Sequence, residues 1–175
     1  MGIASESAVR DMEQDDLDTV MEIENEIFDS PWTRDLFDFE LSRPEKTMYL
    51  VAEHEGKVVG YLGAQLLYNE IHVTNMAVTG RARRMGVGSL LLISCIRCSV
   101  EKGGRWLTLE VRESNNEARA FYELFGFDPI GIRHGYYSDI GEDAVIMVTG
   151  DIRDRVFLEL LDELELSRVH RKGVR

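Results

Sequence analysis

Three arginines and three glycines, the last two one residue apart, lie between an apolar strand and an apolar helix in the stretch His72 to Leu92. His72-Val73-Thr74-Asn75-Met76-Ala77-Val78 is mostly β-branched or apolar, the pattern of a largely buried strand. A turn follows with Arg81, Arg83 and Arg84, then Gly86 and Gly88, and Ser89-Leu90-Leu91-Leu92 opens a helical pattern. Glycines there let backbone N–H groups approach a ligand that any Cβ would hold off. A helix start adds unpaired donors and a partial positive charge. With guanidinium groups alongside, the segment suits a diphosphate. The third glycine of the dinucleotide fingerprint is missing, and no Gly-Lys-Ser/Thr follows. On its own, a glycine pair before a helix is often only a tight turn.

Other residues invite two readings each. Glu110 interrupts an apolar strand and by alternation shares a face with Trp106 and Thr108, away from Leu107, Leu109 and Val111. A solvated edge carboxylate would look the same. Tyr122 falls on the apolar stripe of a helix and Asn115 can cap that helix, so packing or capping alone explains either. His72 is a strand histidine, either packed or a second base. Cys95 and Cys98 sit in an apolar helical stretch with no second pair, which favours two packed, reduced thiols over a metal site. No His-Glu-x-x-His or paired Cys-His cluster is present, so no metal is expected.

The elements that must position these residues read in the order β-α-α-β-β-β-α-β-α-β-β. Val9–Met12 is a short first strand. Asp15–Phe28 has helical spacing with an acidic outer face, and Ser30-Pro31-Trp32 breaks it. Thr33 caps a second helix to about Ser42. Strands follow at 47–54, 58–67 and 71–78, a helix at 88–102, and a strand at 106–112. Ser114-Asn115-Asn116-Glu117 has the form of a capping box for a helix whose inner face is Ala118, Phe121, Tyr122 and Phe125, stopped at Gly126. Strands at 127–137 and 144–149 close the domain. Strand–helix–strand passages imply some parallel pairing and the hairpins some antiparallel pairing. Beyond it, 151–167 reads as an amphipathic helix with Ile152, Val156, Phe157, Leu160, Leu161 and Leu164 on one side. Arg168–Arg175 is a basic tail expected to fray, and residues 1–7 are expected to be loose.

At 175 residues one domain is the natural expectation. The net charge of −12 argues against a general nucleic-acid or anionic-membrane binder. Residues 1–60 carry 16 acidic against 5 basic side chains, so the acidity belongs to the first third and the arginine loop lies outside it. A cationic partner suits that region, as does a merely solubilising surface. No apolar run approaches a membrane span and no signal-peptide core is visible, so a cytoplasmic location is expected.

Several stretches together carry a resemblance: Ser30-Pro31-Trp32; Asn75-Met76-Ala77-Val78 leading into Arg83-Arg84-Met85-Gly86-Val87-Gly88; Leu109-Glu110-Val111-Arg112 before Ser114-Asn115; and Phe121-Tyr122-Glu123-Leu124-Phe125-Gly126-Phe127 with Tyr136-Tyr137 and Glu142-Asp143-Ala144. The ordered set resembles the GCN5-related N-acetyltransferase (GNAT) superfamily, and within it the branch that acetylates the N-terminal alanine of ribosomal protein S18. The resemblance spans about residues 8–149 and leaves 150–175 as an appended helix and tail. It implies an α/β (α+β) GNAT fold, a mixed and mostly antiparallel central sheet with helices on both faces. It also implies acetyl transfer from acetyl-CoA to a protein N-terminus without a covalent enzyme intermediate. Backbone groups of Met76, Ala77 and Val78 would then hold the pantetheine arm, and Arg83-Arg84-Met85-Gly86-Val87-Gly88-Ser89 the pyrophosphate. Asn115 would touch the cofactor, Glu110 would be the general base, and Tyr122 the acid at the departing sulfur. Trp32, Tyr136 and Tyr137 would wall the acceptor peptide. Phe28 stands where some archaeal members carry a glutamate.

The pKa values agree with such an acceptor. Deprotonation at pH 7 costs roughly 1 kcal/mol for an α-amine of pKa near 8 and nearly 5 for a lysine near 10.4. Two other functions fit the same residues: a small-amine acetyltransferase acting on polyamines or drugs, and a non-catalytic acetyl-CoA sensor. The last helix offers a surface for a second copy or another partner.

Overall fold

The computed structural model describes residues 7–172, with side chains as far as Arg168. The order of elements is the expected one: β1 (Ala8–Asp11), α1 (Leu17–Ile27), α2 (Arg34–Leu41), β2 (Thr47–His54), β3 (Lys57–Leu67), β4 (Glu70–Val78), α3 (Val87–Glu101), β5 (Trp106–Arg112), α4 (Asn116–Leu124), β6 (Phe127–Tyr137), β7 (Glu142–Thr149) and α5 (Arg155–Lys172). Single 3-10 turns occupy Gln14–Asp16 and Gly80–Ala82. The strands form one mixed sheet in the order β1-β2-β3-β4-β5-β7-β6. β4 and β5 run parallel, while β1/β2, β2/β3, β5/β7 and β6/β7 are antiparallel.

By its contacts the chain divides into two units: residues up to Leu66 with Asn75–Arg97, and Leu67–Thr74 with Cys98 onward. In the first, α1 buries Leu17, Val20, Ile23 and Glu24, three of them the apolar stripe its periodicity predicts. These meet Phe37, Tyr49, Val51, Val58 and Tyr61, with the Phe37 ring edge-on to Tyr49 and Tyr61 at 6.1 and 5.7 Å. Thr33 caps α2 by accepting the Leu36 N–H. Ser7, expected loose, is buried with its hydroxyl 3.0 Å from His54 Nδ1; residues 1–6 lie outside the described residues.

An ion network ties β1 to the turn before α1. Arg10 grips both oxygens of Asp16, at 2.7 and 2.8 Å, and reaches Glu53 Oε1 at 2.7 Å. Asp16 Oδ2 also accepts the Glu13 N–H at 2.8 Å. The Arg10 guanidinium first, and the Glu13 N–H with it, hold the Asp16 carboxyl below the usual range against the opposing effect of burial. A depressed carboxylate contributes stability above its unfolded pKa and loses it as pH falls through its folded one. Asp16→Asn should therefore cost about 1–3 kcal/mol at neutral pH. In urea titrations, the gap from wild type should close as pH drops below about 4.

In the second unit, β5 alternates as expected: Leu107, Leu109 and Val111 are buried, while Trp106, Thr108, Glu110 and Arg112 are half-buried on the other face. α4 stops at Gly126, whose φ of +76° is left-handed. Ile152, Phe157 and Leu161 are buried, but Val156, expected among them, is 73% exposed. α5 starts at Arg155 rather than 151 and continues to Lys172, through much of the tail expected to fray. Asp154 accounts for the late start, because its carboxylate accepts the Val156 N–H at the helix entry. Among the described residues, no helix is long and apolar enough to cross a membrane.

Candidate active site

β4 carries Met76, Ala77 and Val78 and ends there, with Ala77 buried and its neighbours half-buried. In the turn that follows, Glu26 Oε1 of α1 accepts the Gly80 N–H at 2.8 Å. Arg81, Arg83, Arg84 and Met85 are exposed. Arg83 is extended, while Arg84 and Gly86 are left-handed at φ +60° and +78°. A non-glycine residue held there costs on the order of 1 kcal/mol, and such strain gathers at ligand loops. Gly86 O accepts the Leu90 N–H, and Val87, Gly88 and Ser89 form the first turn of α3. Three guanidinium groups beside a helix N-terminus fit a diphosphate.

The Glu110 carboxylate lies in the second unit. The β4–β5 ladder runs from Glu70↔Trp106 to Val73↔Leu109, and Glu110 is the next residue of β5. Its side chain is 9% exposed, with His72 Nε2 3.2 Å from Oε2 and Arg133 Nη1 2.9 Å from Oε1. His72 Nδ1 lies 3.0 Å from Thr108 Oγ1, and the Thr108 hydroxyl donates to Glu70 Oε1 at 2.8 Å. That donation uses the hydroxyl proton, so Thr108 accepts from His72 Nδ1–H. Nε2 then faces Glu110 Oε2.

Aromatic side chains surround this carboxylate. Tyr137 and Tyr136 meet edge to face at 5.1 Å, with Arg112 over the Tyr137 ring and Arg133 over Tyr136, each at 5.2 Å. Burial, then the neighbouring Tyr136, push Tyr137 up to about 12; Glu110 adds to the rise. Tyr122 packs on Phe121 and Phe127 and is likewise pushed up to about 12, by burial first and then by Tyr137. Tyr137 thus neighbours both Glu110 and Tyr122.

The remaining expected residues are placed less directly. Asn115 Oδ1 accepts the Ala118 N–H at 3.1 Å, so Asn115 alone caps α4 in place of the expected box of Ser114 with Glu117. Trp32 belongs to the first unit, its ring tilted on Phe37 at 5.5 Å and its backbone N–H given to Glu24 Oε1 at 3.0 Å. Glu24, which sequence reasoning missed, is 1% exposed; Tyr61 donates to its other oxygen and Asn75 Nδ2 donates to Tyr61 at 3.2 Å. Arg133, Thr108 and Glu70 were missed as well. Two shallow hollows of about 220 and 400 Å³, sharing Thr19, Glu22, Val58 and Arg81, contain neither Glu110 nor Tyr122. Cys95 and Cys98 form no disulfide. Among the described residues, no three His, Cys, Asp or Glu side chains are grouped to hold a metal.

The family model described as Acetyltransferase (GNAT) family matches residues 17–127. A provisionally named ribosomal protein bS18-alanine N-acetyltransferase of Bacillus subtilis (strain 168) is 43% identical over 143 residues, covering 82% of this chain and 95% of its own. The crystal structure of the ribosomal-protein-S18-alanine N-acetyltransferase from Escherichia coli matches with a TM-score of 0.77 at 31% identity, over 83% of this chain and 94% of that one. PaiA N-acetyltransferase from Thermoplasma acidophilum, solved with coenzyme A, shares the fold at a TM-score of 0.73 and 17% identity, over 83% of this chain and 99% of its own.

Proposed function

The chain belongs to the acetyltransferase (GNAT) family, and we propose that it moves an acetyl group from acetyl-CoA to the N-terminal alanine of ribosomal protein bS18. The observation that carries this reading is the nearly buried Glu110 carboxylate paired with His72. The printed names of the Bacillus and Escherichia relatives support the acceptor. Backbone groups of Met76, Ala77 and Val78 hold the pantetheine arm, and the loop Arg83–Ser89 holds the pyrophosphate. Asn115 adds a contact through its amide nitrogen, since its oxygen caps α4. Trp32, Tyr136 and Tyr137 wall the acceptor.

Acetyl-CoA supplies the acyl group as a thioester. Glu110 Oε1 takes the proton of the α-ammonium, and His72 Nε2 stands at the carboxylate's other oxygen as the second member of the pair. Thr108 and Glu70 hold the imidazole through Nδ1. The freed amine attacks the carbonyl carbon; the C–N bond forms, the C–S bond breaks, and the nitrogen gives its second proton to solvent as the amide forms. Tyr122 faces the departing sulfur as a donor. Burial pushes the phenol up to about 12, so it stays protonated at neutral pH and can donate to sulfur. Tyr122 therefore stabilises charge on sulfur by a hydrogen bond, and the thiol takes its proton from the Glu110–His72 pair or from water.

The test offers the enzyme acetyl-CoA with an Ala-initiated bS18 peptide, the same peptide with a blocked N-terminus, and a polyamine panel, read by mass spectrometry. One acetyl on the free α-amine is expected, and none on the blocked peptide. Modification of polyamines alone would replace the acceptor. Cofactor binding without any turnover would make the chain a sensor.

A further inference from the structure

Arg133 closes over the carboxylate on which this reaction depends. It comes from the edge strand β6, its side chain is 55% exposed, and it reaches in to Glu110 Oε1 while its guanidinium rests on the Tyr136 ring. The backbone beneath it is bulged. The β6–β7 register breaks between Arg133 and Tyr137, and Gly135 within the break is left-handed at φ +61°. Asp143 holds the bulge, accepting the Gly135 N–H at 2.8 Å and pairing with His134 Nδ1 at 2.7 Å. Bulges of this kind re-aim a side chain beside a site. Yet a guanidinium is a poor companion for a base, because it lowers the carboxylate's affinity for a proton. It places one cation where the reaction must bring another.

We propose that Arg133 is a placeholder for the acceptor: it fills the ammonium position on Glu110 in the free enzyme and is displaced by the incoming α-ammonium. The inference rests on reading Glu110 as the base. Exchanging one cation for another keeps the nearly buried carboxylate neutralised throughout, whereas leaving it bare would be costly. The displaced guanidinium already has a resting place on Tyr136. Glu110 is faced by His72 of β4 and by Arg133, Tyr136 and Tyr137 of β6, and of these only Arg133 is permanently charged. An N-terminus without a positive charge leaves Arg133 in place.

Arg133→Ala and Arg133→Lys in the full chain test the exchange by two readouts. The Glu110 carboxyl resonance is titrated by NMR in the free enzyme. Arg133→Ala should move that titration to higher pH, and Arg133→Lys should leave it near wild type. No turnover enters this measurement, so it stands even if the acceptor assignment fails. On the bS18 peptide, Arg133→Ala should lower KM about five-fold, the equivalent of an ion pair of about 1 kcal/mol. The acid limb of kcat/KM should move to higher pH with it. A raised peptide KM would make Arg133 an anchor for the acceptor and overturn the proposal. An unmoved Glu110 titration would show that the ion pair is not held in solution and would overturn it equally.

Discussion

Glu110→Gln is expected to cut kcat/KM for the peptide acceptor by about 10²–10⁴-fold while coenzyme A binds as before, the range a positioned general base supplies. The substitution keeps the side chain's shape and an oxygen for Arg133 but removes the proton acceptor. What remains is attack by amine already deprotonated in solution. The residual rate should therefore rise about tenfold per pH unit up to about pH 8, tracking the free α-amine. Wild type should be much flatter over that interval, because Glu110 and His72 take the proton at the site. His72→Phe removes the second member of the pair and the support of Thr108 and Glu70, and should cost less than Glu110→Gln. Calorimetric titration with coenzyme A separates lost chemistry from lost binding. Full turnover by Glu110→Gln would remove this carboxylate from the mechanism and leave His72 as the base to examine.

The sequence is most informative where chemistry is local. The loop Arg83–Ser89 could be read from residue order because strand end, glycines and helix start are consecutive. Alternation along β5 placed Glu110 opposite Leu109 and Val111, and the structure has that pattern. Thr33 and Gly126 act as local signals say they should. Non-local partners were harder to find. His72 stood between a packed residue and a base, because its distance from Glu110 depends on the parallel register of β4 and β5. Alternation along both strands, with Thr108 and Glu110 on one face, was the available hint. Arg133 offered no such hint, since β7 lies between its strand and β5 and only the sheet order relates the two. Val156 shows the limit of periodicity: an apolar residue on the expected stripe is exposed once the helix begins four residues late. The cap of α4 shows another, because Ser114 and Asn115 are both good caps and only the path of the chain decides between them.

Glu24→Ala should be among the most destabilising single changes, costing about 3–5 kcal/mol in urea unfolding. The carboxyl is buried and serves three elements at once: it accepts from Tyr61 of β3 and from the Trp32 N–H after α1, and Asn75 of β4 completes the network through Tyr61. Truncation leaves a buried hydroxyl and a backbone N–H without this partner, in a cavity beside Phe37. Glu24→Gln fills the space and keeps one acceptor, so its cost should be smaller and should change with pH. Burial raises the Glu24 carboxyl above its ordinary value, with the bonds from Tyr61 and Trp32 opposing it. A raised acid contributes stability below its unfolded pKa and loses it as pH rises through the folded one, the reverse of Asp16. The stability gap between wild type and Glu24→Gln should therefore narrow as pH rises from about 4. A gap that widened instead would mean the carboxyl is held ionised in the fold. Because the network ends on Trp32 and on Asn75, the residue before Met76, Glu24→Gln should also raise the peptide KM more than it lowers kcat. A loss confined to kcat would detach this network from the acceptor wall.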